Sequence, residues 1–129
     1  MKFEKCSVRL SKIGQIAIPV SDIDRAIVFY KDILGMDFLF KAPPGLGFFD
    51  CDGIRLLLDA PAWKDGKTIS SVIYFLVSDI PESTKQLENQ GVVIETPPHL
   101  VANMPDHDLW MAFFRDPDQN LLALMCEVR

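Results

Sequence analysis

Large apolar residues at Ile16, Ile18 and Val20 alternate with Gln15, Ala17 and Pro19. A period of two is the mark of a strand with two unlike faces, so Ile13 to Val20 is predicted as the first strand. The period then lengthens. Ile23, Ala26, Ile27, Tyr30, Ile33 and Leu34 recur at helical spacing and make one apolar stripe. Ser21, with Asp24 three residues on, is the expected N-terminal cap, and Gly35 the stop. Met36 to Phe40 reads as a second strand. Ala42-Pro43-Pro44-Gly45 reads as a loop, because consecutive prolines cannot sit inside a ladder. Leu46 to Cys51 and Gly53 to Asp59 complete a hairpin around Cys51-Asp52-Gly53.

The same order of elements then returns. Gln15 to Ile23 is echoed by Val72 to Ile80, and the Phe48-Phe49 hairpin by Phe113-Phe114. Val72 to Val77 is a predicted strand. Ser78 or Asp79 caps a helix with Pro81 in its first turn, striped by Ile80, Thr84 and Leu87 and closed by Gly91. Val92 to Glu95 is the next strand, and Leu109 to Phe114 and Leu121 to Glu127 form the closing hairpin. A duplicated unit of roughly 55–65 residues predicts a fold of two pseudo-equivalent halves. Each is β-α-β-β-β, so the class is α+β: module one at about 12–60, a polar linker at about 61–69, module two at about 70–128. The halves differ most between the stop glycine and the Phe-Phe pair. In the second half this interval is much longer, reads as a loop, and holds both histidines, His99 and His107.

Composition narrows the function. The 129 residues make a single domain of ordinary globular character, 49% hydrophobic and 24% charged. A net charge of −5 without a Lys/Arg cluster argues against nucleic acid or an anionic membrane as partner. Cys6, Cys51 and Cys126 form no C-x-x-C pair and read as reduced thiols. Neither a signal peptide nor a spanning apolar run is present, so a cytoplasmic location is expected.

The helix motif Arg25-Ala26, Phe29-Tyr30, Leu34-Gly35, taken with the late turn Phe114-Arg115-Asp116-Pro117-Asp118-Gln119-Asn120, resembles the vicinal oxygen chelate superfamily of glyoxalases, bleomycin-resistance proteins and dioxygenases. The resemblance covers about residues 12 to 127. It implies two βαβββ modules whose curved mixed sheets enclose a cleft, and commonly a homodimer. Gln119 departs from the family's usual glycine, a change expected to affect turn geometry. Family members that do metal chemistry carry four ligands, mapping here onto Gln15, Leu57, Val72 and Ala123. Only Gln15 has a donor atom, and a lone amide cannot hold a divalent ion against water. No metal is therefore expected at the usual place.

Strand parity lines the expected cleft with Gln15, Ala17, Arg55, Leu57, Asp59, Val72, Tyr74, Leu76, Leu121, Ala123 and Met125. That is an apolar pocket with a few polar groups, suited to a small apolar or aromatic molecule. Arg55 is either an anion anchor or the partner of Asp59. His107, beside Asp106 and Asp108, is either an acid/base group or substrate anchor over the cleft or a solvated loop residue, and His99 is a further candidate; Trp110 is either a core or interface aromatic or a pocket wall. Binding without cofactor is the leading expectation. The alternative is a lyase, isomerase or dioxygenase-like enzyme using His107 and His99, with a divalent metal relocated to His99, His107, Gln15 and Glu127.

Overall fold

The computed structural model describes residues 8–67 and 69–129. Cys6 and Thr68, named above as a thiol and as part of the linker, lie outside the described residues. The chain folds as β1 (Gln15–Pro19), α1 (Ile23–Val28), β2 (Asp37–Ala42), β3 (Leu46–Cys51), β4 (Ile54–Asp59), β5 (Ile73–Leu76), α2 (Ile80–Asn89), β6 (Ile94–Asn103), β7 (Asp108–Arg115) and β8 (Leu121–Val128). Two four-stranded sheets result, ordered β1-β4-β3-β2 and β5-β8-β7-β6. In each, the first strand of the module runs parallel to the last, and the remaining pairings are antiparallel. The α+β architecture of two βαβββ modules is thus present. No helix among the described residues is long and apolar enough to cross a membrane.

The alternating residues separate as expected. Ile18, Leu56, Leu58 and Phe49 from the first sheet join Leu122, Leu124, Cys126, Ala112 and Phe114 from the second in one buried cluster with Ala26, Phe29, Tyr30 and Ile80. The helices cover this face of the sheets. Gly47 on β3 lies directly under α1. A Cβ there would come within 3.1 Å of Ile27 and 3.2 Å of Ile23, so the close helix–sheet approach depends on its missing side chain.

Two local expectations need correction. Asp22, not Ser21, is the cap of α1, accepting from the Arg25 N–H at 3.1 Å. Ser21 is freed for another contact described below. Of the two candidates in the second helix, Asp79 is the cap, accepting from the Glu82 N–H at 3.1 Å. The end of α1 widens into a π-helical stretch, Phe29–Ile33, closed by Leu34 N–H donating to the Phe29 carbonyl at 3.0 Å. The second correction is larger. The interval read as a histidine-bearing loop is the ten-residue strand β6, paired with β7 through three irregularities of register. Pro97 and Pro98 fit because β6 is an edge strand, where a missing N–H costs no ladder bond and bulges absorb the mismatch.

The modules are joined by a buried polar knot. Asp116, only 2% exposed, begins the turn between β7 and β8. Its carboxylate accepts from the Tyr30 hydroxyl (2.8 Å), the Asn120 side-chain amide (2.9 Å), and the backbone N–H groups of Asp118 (2.9 Å) and Asn120 (2.8 Å). Asn120 also donates to the Pro19 carbonyl at 2.9 Å. Asp118 accepts from the Ser21 N–H at 3.0 Å, from the Ser21 hydroxyl, and from Arg25 at 2.6 Å. The turn of one module is therefore seated in the strand–helix junction of the other. Gln119 keeps the left-handed conformation (φ 69°) that a glycine would supply, so the departure leaves the turn geometry in place.

Burial, followed by the nearby Asp116 carboxylate, pushes the Tyr30 hydroxyl far above its ordinary pKa. A folded pKa raised in this way stabilises the protein below the ordinary tyrosine value. As pH climbs past about 10, the unfolded chain releases the proton and the folded chain does not, so stability falls by about 1.4 kcal/mol per pH unit. Two outcomes are expected in urea titrations. Tyr30→Phe costs about 1–3 kcal/mol at pH 7, since Asp116 loses a buried donor. The same variant loses Tyr30's share of the alkaline decline; an unchanged slope between pH 10 and 11 would contradict the assignment.

Candidate functional site

The face of each sheet turned away from the helices carries the candidate residues. On the first sheet Gln15 lies opposite Arg55, Ala17 opposite Leu57, and Pro19 opposite Asp59. Phe48 is paired with Leu57 on one side and Phe40 on the other, so the three share this face. The Phe40 and Phe48 rings lie 4.8 Å apart at 30°, and the Arg55 guanidinium sits 5.7 Å from the Phe48 centroid. On the second sheet Tyr74 faces Ala123, which faces Phe113; Leu76 faces Met125, which faces Met111. Tyr74, Phe113 and His99 form a run of rings at 6.1 and 6.3 Å. Phe40 is 49% exposed, Tyr74 45% and Leu76 66%. Large apolar side chains are thus presented on these faces, whereas Ala123 is fully covered.

Phe40, Phe48 and Phe113 escape a reading by alternation alone. The repeated Phe-Phe pair is visible in the sequence, but only the register shows that each pair splits. Phe49 and Phe114 enter the core, while Phe48 and Phe113 face the other way. Arg55 does not pair with Asp59. The Asp59 carboxylate accepts from the Ala62 N–H at 3.2 Å, and Arg55 packs on Phe48 instead. Val72 precedes β5 and, with Leu121, borders a hollow of about 610 Å³ shared with Trp63, Ile69, Arg115 and Asp118. Trp110, a candidate pocket wall, is on the opposite side. It faces Cys126 and packs against the core, because its parity is that of Ala112 and Phe114.

The two histidines do not converge. His99 is opposite Met111 on β6, and its Nδ1 is 2.9 Å from the Pro97 carbonyl, which can only accept; that nitrogen therefore carries the proton. His107 lies in the turn beyond β6. Its Nδ1 meets Asp106 at 2.7 Å, its Nε2 faces Glu127 at 3.5 Å, and its side chain is 11% exposed. Arg129 closes the group at 3.6 Å from Asp106 and 3.3 Å from Glu127. Nδ1 is hydrogen-bonded to Asp106 while Nε2 only faces Glu127, so His107 bridges the turn and β8 as a clamp. Its hydrogen bond holds the exposed Asp106 carboxyl below the usual carboxylate range. On the first sheet, burial and then Asp50 and Asp52 push the Cys51 thiol up, which keeps it protonated.

Among the described residues no group of three or more His, Cys, Asp or Glu is placed to hold a metal ion. At the four positions where the family resemblance puts ligands, Leu57, Val72 and Ala123 offer only carbon. The residues present do not fit a divalent ion, either there or at the relocated set, where His99 and Gln15 do not join His107 and Glu127.

The profile of the Glyoxalase/Bleomycin resistance protein/Dioxygenase superfamily matches residues 12–124. The chain belongs to that superfamily. An uncharacterized protein of Bacillus subtilis (strain 168), YraH, is 27% identical over 88% of this chain and 96% of its own. A superfamily member from Sphaerobacter thermophilus superposes with a TM-score of 0.73 at 26% identity, covering 92% of this chain and 98% of that one. A lactoylglutathione lyase from Agrobacterium tumefaciens gives 0.71 at 25%, covering 92% and 95%. This chain shares the double-module fold of the superfamily.

The clamp has a measurable signature. Asp106 gains stability from its folded-state hydrogen bond at pH values above the ordinary carboxylate range, and loses it as pH falls through its lowered folded value. In a carbonyl-carbon NMR titration Asp106 is expected to titrate below the other exposed aspartates. In His107→Ala it is expected to return to their range.

Proposed function

We propose that this chain is a small-molecule-binding member of the superfamily, holding an apolar or aromatic ligand in a cleft between the helix-free faces of its modules, without the divalent metal. The observation that carries this reading is the chemistry of those faces. Aromatic and aliphatic side chains stand exposed on both sheets, with Gln15, Arg55 and Asp59 as the polar groups among them, and three of the four ligand positions are hydrocarbon. Exposed apolar surface of this kind marks a binding site, and apolar walls with few polar groups favour a small organic molecule. The site residues in this reading are Gln15, Arg55, Leu57, Asp59, Tyr74, His99 and Met125, with Ala123 covered beneath them. A second copy of the chain would complete the walls, making the working unit a homodimer.

An enzymatic role for His107 gains less from the geometry, since its Nδ1 is hydrogen-bonded to Asp106 and its side chain is largely covered. The lyase named among the structural relatives belongs to that protein, and metal-dependent chemistry of its kind has no donor set here.

The test pairs elemental analysis with binding. Purified protein dialysed against buffer is expected to carry well under one equivalent of transition metal. 2-Naphthol is expected to bind equally with and without EDTA, and to bind at least tenfold more weakly to Phe48→Ala and Tyr74→Ala. Sedimentation equilibrium is expected to give a dimer. One tightly held metal per chain, with binding abolished by EDTA, would overturn the metal-free reading.

A further inference from the structure

We infer that the ligand of this cleft is a planar aromatic carboxylate, its ring stacked on Phe40 and Phe48 and its carboxylate held by Arg55 with the Gln15 amide alongside. The inference rests on the cleft-binding reading above and narrows the ligand class.

The first sheet presents two rows of side chains on its helix-free face. One row is Phe40, Phe48, Leu57 and Ala17; the adjacent row is Asp50, Arg55 and Gln15. The first is a flat apolar platform. The two phenyl rings are nearly stacked at 4.8 Å, and Phe40 is half exposed, so a further ring can join them in an offset arrangement. In the second row Arg55 is exposed and its guanidinium makes neither an ion pair nor a hydrogen bond among the described residues. It has carboxylates for neighbours, yet they are turned elsewhere. Asp50 accepts from the Gly53 N–H at 3.2 Å, and Asp59 from the Ala62 N–H at 3.2 Å. Other arginines in the seam and on the second sheet are paired: Arg25 with Asp118, Arg115 with Glu95. Arg55 instead lies over the Phe48 ring, which fixes the guanidinium plane at the edge of the aromatic platform.

A planar fork with free N–H donors matches a carboxylate in two parallel hydrogen bonds. Gln15, directly opposite Arg55 on β1, has an exposed amide with no bond to another described side chain and can add a third donor. The net charge of −5 works against an anion, so it is the unpaired guanidinium beside the Phe40 and Phe48 rings that must select an anionic aromatic over its neutral analogue.

The test compares 2-naphthoate with 2-naphthamide, equal in shape and different in charge, by calorimetry on the full chain. Naphthoate is expected to bind at least tenfold more tightly, with affinity falling as salt rises. Arg55→Met is expected to erase that preference by weakening naphthoate far more than naphthamide, and Arg55→Lys to restore part of it. Circular dichroism of each variant checks that the fold is intact. If naphthamide binds as well as naphthoate, or Arg55→Met keeps the preference, the carboxylate assignment falls and the cleft reading stands. If neither probe binds and Phe48→Ala changes nothing, both fall.

Discussion

The structure depends on one buried carboxylate. Asp116 collects four hydrogen bonds inside a seam where water cannot replace them, and its donors come from both halves of the chain. An isolated charge at that depth would cost several kcal/mol, so the turn and the helix must arrive together or not at all. Tyr30 reaches it from the π-helical stretch at the end of α1, where Phe29 and Tyr30 are both buried. Asn120 and Asp118 then fasten the same turn to Pro19, Ser21 and Arg25. Hydrophobic burial supplies the bulk of the stability, but it is non-directional. The polar knot fixes how one βαβββ unit sits against the other.

Much of this was legible in the chain. Strand parity correctly divided Ile16, Ile18, Leu56 and Leu58 from Gln15, Ala17, Arg55 and Leu57, since a period of two admits only two faces. Gly35 and Gly91 stop the helices with positive φ, as their places after the apolar stripes imply. The two motifs that resemble the superfamily hold Tyr30 and Asp116, which touch across the seam; their spacing in sequence shows no such contact. Other features were hidden for identifiable reasons. Pro97-Pro98 looked like a loop because the rule excluding proline from ladders is relaxed at an edge. Trp110 reads as a core aromatic or a pocket wall, and its shared parity with Ala112 decides for the core. Ser21 looked like a cap, but Asp22 took that role and left Ser21 to the other module.

The candidate site shows the same division between pattern and register. Alternation names the residues on a face; it does not show which neighbours engage each other. Arg55 and Asp59 share a face and yet stay apart, because each carboxylate on that sheet closes its own turn. The histidines, which share one interval of sequence, are held separately by a strand and by its terminal turn. The symmetry of the two modules is preserved in the order of strands and in the core. It breaks at the seam, where only the Asp116 turn carries the polar knot, and on the exposed faces, where Phe40, Phe48 and Arg55 on one sheet answer Tyr74, Phe113 and His99 on the other.

Strand β6 carries a further consequence for the behaviour of the protein in a crowded solution. At ten residues it is the longest strand among the described residues, and it carries Leu100 and Val101, both nearly half exposed. A straight edge of that length would offer a row of free N–H and C=O groups to any unpaired strand nearby. Pro97 and Pro98 bring no N–H to either side of the strand, and the register breaks around them between Thr96 and His99. The feature that disguised this strand as a loop is therefore also its protection against adding foreign strands, and the second sheet can remain open-edged without seeding aggregates.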